Sequence, residues 1–327
     1  MLPEILIHID QLLVRKIQYY SGLMPVKCWG IKVNKTTGEE TRQRLIAEGT
    51  LHPDFKPKKD DKYLYFPVKE KIPDSEIFEF EERSRKEELP RHELIGGIAV
   101  IHENNINDAE LLLKSRPVIH TVLYSESAVT GEYRTKDYQV LAGENTTETD
   151  YTEYGLRFKI DLSKAYFSAR LANERQRILN SMEEGEKVFD LFAGVGPFAV
   201  ALSRKASVVI ANDINPDAVR LMDENIRLNR IKNITPMLGD ALHMPGIFPD
   251  GSFDRIIMNL PMNSVPFLKA AFKLCRKGGV IHFYSIQGEE GEMLETLRGF
   301  TTGNITENKV RSYAPNLHHA VYDIVFE

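Results

Sequence analysis

At 327 residues with 42% apolar content, the chain exceeds one average domain and can fill two or three cores, which excludes a fibre or a disordered tail. Its two cysteines, Cys28 and Cys275, stand far apart without metal-ligand spacing, so a disulfide framework and a structural zinc site are excluded and a reducing, cytoplasmic compartment is expected. The net charge of −5 argues against a nucleic-acid binder, yet it hides an asymmetry: Pro25 to Lys69 carries ten Lys or Arg against six Asp or Glu, +4 locally, leaving −9 for the remainder.

The opening run from Ile5 to Leu13 is apolar but broken by His8 and Asp10, and it lacks a basic start and a small-residue cleavage site, which argues against a signal peptide. No eighteen apolar residues run together, so no membrane span is expected. Lys27 to Val33, a helix near Glu39 to Glu48, and Tyr63 to Val68 predict a compact β-α-β piece. Asp74 to Arg91 is charged and helix-favouring and reads as a linker. Leu94 to His102, a helix from Asp108 to Ser115, and strands around Val118 to Tyr124 and Gly131 to Val140 make a middle unit of mixed α and β.

The second half is the most regular. Lys187 to Phe192 predicts a buried strand that runs into Ala193-Gly194-Val195-Gly196, with Pro197 where a helix can start. Strand and helix then alternate: Ser207 to Ala211, helix Pro216 to Asn229, Ile234 to Leu238, Phe253 to Met258, helix Ser264 to Arg276, and Val280 to Ile286 after a Gly278-Gly279 stop. This is a parallel α/β sheet. The tail departs from alternation, because Asn304 to Arg311 and Ala320 to Phe326 are both strand-like and joined by a loop with Pro315. An antiparallel ending of this kind is usual for the Rossmann-like sheet of class I methyltransferases, whereas a nucleotide dehydrogenase more often ends on a parallel strand.

The glycine turn Asp190-Leu191-Phe192-Ala193-Gly194-Val195-Gly196-Pro197-Phe198 lets backbone approach a ligand closely. Alone it is ambiguous, since Gly194, Gly196 and Ala199 also satisfy the GxGxxA dinucleotide fingerprint. Three features favour S-adenosylmethionine. Asp190, four residues before the first glycine, can reach the ammonium of a methionine moiety, and Pro197 removes an amide donor that a pyrophosphate would use. Asp213 ends the second strand, where it can bond ribose hydroxyls, but NAD enzymes also place an acid there, so it does not discriminate. Asp240 follows the third, where it can accept from the adenine amino group. The fourth strand ends in Asn259-Leu260-Pro261-Met262, similar to the Asn-Pro-Pro-aromatic turn of nucleic-acid amino-methyltransferases, in which an Asn side chain and a neighbouring carbonyl grip a planar base.

Taken in order, Gly38-Glu39-Glu40-Thr41-Arg42, Gly131-Glu132-Tyr133-Arg134, Ala142-Gly143-Glu144-Asn145, Lys164-Ala165-Tyr166-Phe167-Ser168, Asp190 to Phe198, Asp213-Ile214-Asn215-Pro216, Asn259-Leu260-Pro261 and Arg311-Ser312-Tyr313-Ala314-Pro315 resemble the archaeal and eukaryotic tRNA (guanine-N1)-methyltransferases that act at nucleotide 37. The resemblance runs from about Val26 to the C-terminus. It implies a class I methyltransferase sheet with an antiparallel C-terminal strand, preceded by two smaller α+β domains. These would divide into an N-terminal extension over 1–24, a small tRNA-binding domain over 25–72, a middle domain over 73–160 and a catalytic domain over 161–327. The small domain would touch the outer corner of the tRNA while the other two hold the anticodon stem-loop. No metal is implied, and a monomer is expected.

By the same resemblance the general base falls on Glu174, the catalytic arginine on Arg134, and the base-contacting pair on Asn259 and Pro261. The methyl donor would be held by Tyr166, Asp190, Phe192, Gly194, Gly196, Asp213, Ile214, Asp240 and Asn259. Ala172-Asn173 stands where many relatives carry a glycine pair, and the first 23 residues have no recognised counterpart. Guanine N1 is a poor nucleophile until a base removes its proton, and charge then spreads to O6, where a guanidinium is worth about 3 kcal/mol. The target base must first be unstacked into a pocket that Tyr166 or Phe167 could line. Three alternatives stand beside this reading: a wyosine-pathway aminocarboxypropyl transferase, which usually lacks the Asn-Leu-Pro turn, a non-catalytic tRNA-binding protein, and a dehydrogenase.

Overall fold

A computed structural model describes residues 25–83, 89–125 and 136–327, in two units spanning 1–88 and 89–327. In the first unit, β1 (Val26–Asn34), α1 (Gly38–Ala47), β2 (Lys58–Lys59), β3 (Tyr63–Pro67) and β4 (Ser75–Phe80) form an antiparallel sheet in the order β2-β3-β1-β4 with one helix. Leu45 of α1 is buried against Ile31, Phe66 and Val68. The expected linker is corrected here, because Ser75 to Phe80 pairs along Val26 to Ile31 and carries this sheet past residue 72. Glu76 and Glu79 gave the segment its helical look. They sit on an edge strand, where charge blocks unwanted pairing, while Phe80 is buried on the same strand.

The second unit begins with β5 (His92–Ile95), β6 (Ile98–Ile101), α2 (Ile106–Ser115), β7 (Thr121–Ser125) and β8 (Tyr138–Gly143), a sheet in the order β5-β6-β7-β8. The segment Leu94 to His102 is a hairpin turned at Gly96-Gly97 and not one strand. Gly96 is left-handed at φ +56°, and a Cβ there would meet the Asp150 carbonyl at 2.2 Å. The start of the expected Gly131 to Val140 strand, with Arg134, lies outside the described residues. A separate hairpin of β9 (Glu148–Glu153) and β10 (Leu156–Asp161) follows.

The remaining elements are α3 (Ala172–Ser181), β11 (Lys187–Asp190), α4 (Pro197–Leu202), β12 (Val208–Asp213), α5 (Pro216–Leu228), β13 (Ile234–Leu238), β14 (Phe253–Met258), α6 (Leu268–Leu274), β15 (Cys275–Gln287), α7 (Leu294–Arg298), β16 (Ile305–Ala314) and β17 (Leu317–Val325). Seven strands form one sheet in the order β13-β12-β11-β14-β15-β17-β16, parallel through β15, with β17 antiparallel to both its neighbours. This is the mixed class I methyltransferase sheet that the alternation and the antiparallel ending predict. Asn225 of α5 and Asn229, the residue that follows the helix, bond the backbone of β10 at 2.7 and 2.9 Å and fasten the hairpin to the sheet's helix layer. A single apolar cluster joins Ile98 and Leu123 through Phe158 to Val188, Val209 and Tyr284.

Two boundaries differ from expectation. Gly278-Gly279 does not end the helix before a new strand but lies inside β15, at a register slip between the Phe253–Cys275 and Arg255–Val280 pairs. A Cβ on Gly279 would meet the Asp254 carbonyl at 2.7 Å, so the neighbouring backbone occupies the space that a side chain needs. The helix expected from Ser264 to Arg276 keeps only Leu268–Leu274, after a 3₁₀ turn that contains Pro266.

Candidate active site

The C-terminal ends of β11 to β14 open into a cleft of about 470 Å³, the position where open α/β sheets bind ligands. Its wall includes Tyr166, Phe192, Gly194, Asp213, Ile214, Asp240, Asn259 and Pro261 of the expected residues. Asp190, Gly196 and Glu174 do not line it.

The floor is made by the turn after β11. Gly194 and Gly196 are left-handed at φ +56° and +86°, and a Cβ on Gly196 would meet Met222 Cγ at 2.9 Å. The Gly194 amide donates to Asp213 Oδ2 at 2.7 Å and the Asn215 amide to Oδ1 at 2.9 Å, so Asp213 anchors two loops while keeping lone pairs for a ligand. Burial raises the Asp213 pKa, against the pull of these amides. Asp190 lies beneath the turn, 1% exposed, and neither carboxylate oxygen has a well-formed hydrogen bond among the described residues, although the Phe192 and Ala199 amides lie close by. Burial first, and then the neighbouring Asp213 charge, push its pKa up to about 8 despite the amides of Phe192 and Ala199. A buried, unpaired carboxylate is a costly group that a cation would relieve.

Along the side wall, Asp240 Oδ1 accepts from the Leu242 amide at 2.9 Å and caps a 3₁₀ turn, which leaves Oδ2 without a partner among the described residues. Ile214 and Leu242 stay 36% and 49% exposed beside it, an apolar slot with one acceptor that suits an adenine ring. Phe192 is held edge-on by Phe267 at 4.9 Å.

The opposite wall is the turn after β14. The Leu260 carbonyl accepts from Ser264 Oγ at 2.6 Å and from the Asn263 amide, and the Pro261 carbonyl accepts from Ile286 at 3.1 Å. The Leu260 carbonyl is thus fully engaged and the Pro261 carbonyl half engaged, while the Asn259 side chain has no partner among the described residues and is free to grip a base edge.

Glu174 is brought elsewhere. On the first turn of α3 it is 7% exposed, and Arg177 clamps it from Nε to Oε2 at 2.8 Å and from Nη2 to Oε1 at 2.9 Å. The Tyr284 hydroxyl donates to Oε1 at 2.7 Å. Arg177 also forks onto Asp323 at 2.6 and 3.1 Å, Asp323 meets His282 Nδ1 at 2.6 Å, and His282 Nε2 meets Arg255, itself paired with Glu186. Burial works against the Asp323 charge, but His282 and Arg177 hold its pKa down to about 2. Burial likewise lowers the His282 pKa and raises that of Tyr284 far above a phenol's usual value.

Three site residues are given no role by the sequence reading. Buried Asn212 donates to the carbonyls of Leu191 and Gly239 and ties the β11 and β13 loops together. Asn215 caps α5 and donates to Lys164 at 2.7 Å, and the Asn-Pro pair opening that helix was the available signal. Arg175 lines the cleft while locked to Glu153 at 2.6 and 2.5 Å, and no spacing marks it.

Comparison with known proteins settles the family. Residues 149–310 match the TRM5/TYW2 methyltransferase domain and residues 30–76 match the tRNA methyltransferase 5 N-terminal domain. The chain is 38% identical to tRNA (guanine(37)-N(1))-methyltransferase Trm5b of Pyrococcus abyssi, over 90% of this chain and 97% of that one. The chain belongs to the TRM5/TYW2 methyltransferase family. It is also 31% identical to the tRNA(Phe) (4-demethylwyosine(37)-C(7)) aminocarboxypropyltransferase of Methanocaldococcus jannaschii, over 72% of this chain and 98% of that one. The complex structure of aTrm5 and tRNALeu superposes with a TM-score of 0.70 at 30% identity, over 92% of this chain and all of that one. As a TRM5/TYW2 enzyme the protein uses S-adenosylmethionine, and the cleft with the turn under it fits: a buried carboxylate beneath the turn for the cation, Gly194 in the wall with Gly196 behind it, and an apolar slot with an acceptor.

Proposed function

We propose that the protein transfers the methyl group of S-adenosylmethionine to N1 of guanosine 37 in tRNA, and that it does so as a monomer in the cytoplasm. The observation that carries this is the unpartnered Asn259 amide in the same cleft as the donor-binding floor, because it offers one acceptor and two donors to a guanine edge. Similarity over 90% of the chain to a guanine-37 methyltransferase, and the match at 30–76, support the position on the tRNA. The two free cysteines fit a reducing compartment.

When bound, S-adenosylmethionine supplies an electrophilic methyl group. Asp190 balances its charge from below, Asp213 and Asp240 orient the nucleoside, and Tyr166 with Phe192 encloses it. Glu174 takes the N1 proton, which requires its carboxylate to turn out of the Arg177 and Tyr284 clamp. Arg134 stabilises charge developing on O6. The small N-terminal domain takes the outer corner of the tRNA through its local basic excess.

A second reading, aminocarboxypropyl transfer or methylation on a wyosine precursor, is favoured by the 31% identity over 72% of this chain. Incubation with S-adenosylmethionine labelled in the methyl group or, separately, in the aminocarboxypropyl carbons, using transcripts bearing guanosine or adenosine at nucleotide 37 and a tRNA carrying the wyosine precursor there, followed by nucleoside analysis, separates the two. Label in 1-methylguanosine only from the guanosine transcript supports the first reading; none there, with product on a wyosine precursor, supports the second.

A further inference from the structure

The motif Arg311-Ser312-Tyr313-Ala314-Pro315 has no part in the chemistry above, yet Arg311 and Tyr313 both line the cleft. They lie on β16, the edge strand of the seven-stranded sheet, and two register shifts against β17, between Lys309 and Arg311 and between Ser312 and Ala314, bracket Arg311 and include Tyr313. Bulges at a sheet edge beside an active site re-aim side chains. Tyr313 is 44% exposed at the mouth, with Arg311 Cζ 5.8 Å from its ring and Met262 Sδ 4.0 Å from its hydroxyl. The strand is thereby joined to the Asn259 to Met262 turn that meets the acceptor base.

Arg311 has no carboxylate or other hydrogen-bond partner among the described residues, and its Nε is buried without one. The other arginine lining this cleft, Arg175, is paired with Glu153. An uncompensated guanidinium at the mouth of a cleft, on the acceptor side and apart from the donor floor, is built for an anion that arrives with the substrate. A nucleotide turned out of its stack carries a phosphate to the mouth while its base goes inside. A planar guanidinium beside an aromatic ring suits that phosphate.

We propose that Arg311, steadied by Tyr313, holds the backbone phosphate of the turned-out acceptor nucleotide and acts as a positioning residue. This rests on the proposed function only in taking the acceptor to be an RNA nucleotide. The test compares wild type with R311Q and R311K in two assays: steady-state methylation of the guanosine-37 transcript, and fluorescence anisotropy of tRNA binding across a salt series.

The expected result for R311Q is a KM for tRNA raised about tenfold, with kcat falling less than about threefold. The slope of log affinity against log salt becomes shallower by about one phosphate contact, about 0.7 to 0.9. R311K restores the salt slope, because it keeps the charge, and recovers only part of the KM, because it loses the fork. S-adenosylmethionine affinity and melting temperature stay at wild-type values. An unchanged KM and salt slope in R311Q, or weakened cofactor binding with normal tRNA binding, would overturn the assignment. If wild type methylates neither transcript, the proposed function falls, while the anisotropy series still decides the role of Arg311.

Discussion

The floor of the cleft and the layer behind α3 each bury a carboxylate assigned to the chemistry, and they treat it in opposite ways. Asp190 sits under the glycine turn with no well-formed hydrogen bond to either oxygen among the described residues, whereas Glu174 has a guanidinium fork on both oxygens and a phenol on one. An unpaired buried carboxylate costs stability until a cation comes, so the floor is poised for a ligand. A fully paired one contributes to the fold, and using it as a base means undoing part of that. One is arranged for binding, and the other, in the base role proposed for it, has to be released first.

Breaking the clamp is the largest test of this contrast. R177M leaves Glu174 and Asp323 buried without their shared cation. It should cost about 3 kcal/mol, the low end for a buried pair because Arg177 is 34% exposed, and lower the melting temperature by roughly 10 °C. Thermal melts with and without cofactor check it, and a loss near zero would mean the network is not structural. E174Q, which keeps the shape and can still accept from Arg177, should lower the single-turnover methylation rate about 100-fold with tRNA affinity unchanged. A rate within a few fold of wild type, together with a lower melting temperature, would make Glu174 an anchor and not the base.

The floor gives the next largest effect. D190N should weaken S-adenosylmethionine binding about tenfold, about 1.4 kcal/mol, while leaving the empty protein as stable or more so near pH 8. The sign follows from the raised pKa. Folded Asp190 keeps its proton up to about 8, against 3.8 when unfolded, so its contribution to stability is complete below pH about 4 and drains away as pH rises toward 8. A bound cation favours the ionised form, so cofactor binding between these limits should release up to one proton. Calorimetry in buffers of different ionisation enthalpy measures it, and zero release in wild type would mean that Asp190 is already ionised in the empty site. Smallest of all, D240A removes the cap on the Leu242 amide and should cost about 1 kcal/mol, a shift of roughly 2–4 °C, with a few-fold weaker cofactor binding.

The floor was legible because strand ends and glycines are local features. The β13 and β14 boundaries coincide with their apolar runs, and Gly194, Asp213, Asp240 and Asn259 all reach one cleft from spacing alone. The region behind α3 was not. Glu174 and Arg177 are three residues apart, but their partners Tyr284 and Asp323 come from β15 and β17, and no local pattern pairs a charge with one 146 residues away. The misread linker at Ser75 to Phe80 failed for a related reason. Composition favoured a helix there, and only the partner strand β1 makes it an edge.

The antiparallel placement of β17 carries a consequence for how the protein is made. This strand lies between β15 and β16 and brings Asp323, so during synthesis the sheet stays split and α3 unlocked until Leu317 to Val325 has left the ribosome. Until then both neighbouring strands expose unpaired edges, a template for aggregation. A message cut short before Leu317 would therefore yield a polypeptide that holds every glycine and aspartate of the cofactor floor and still fails quality control.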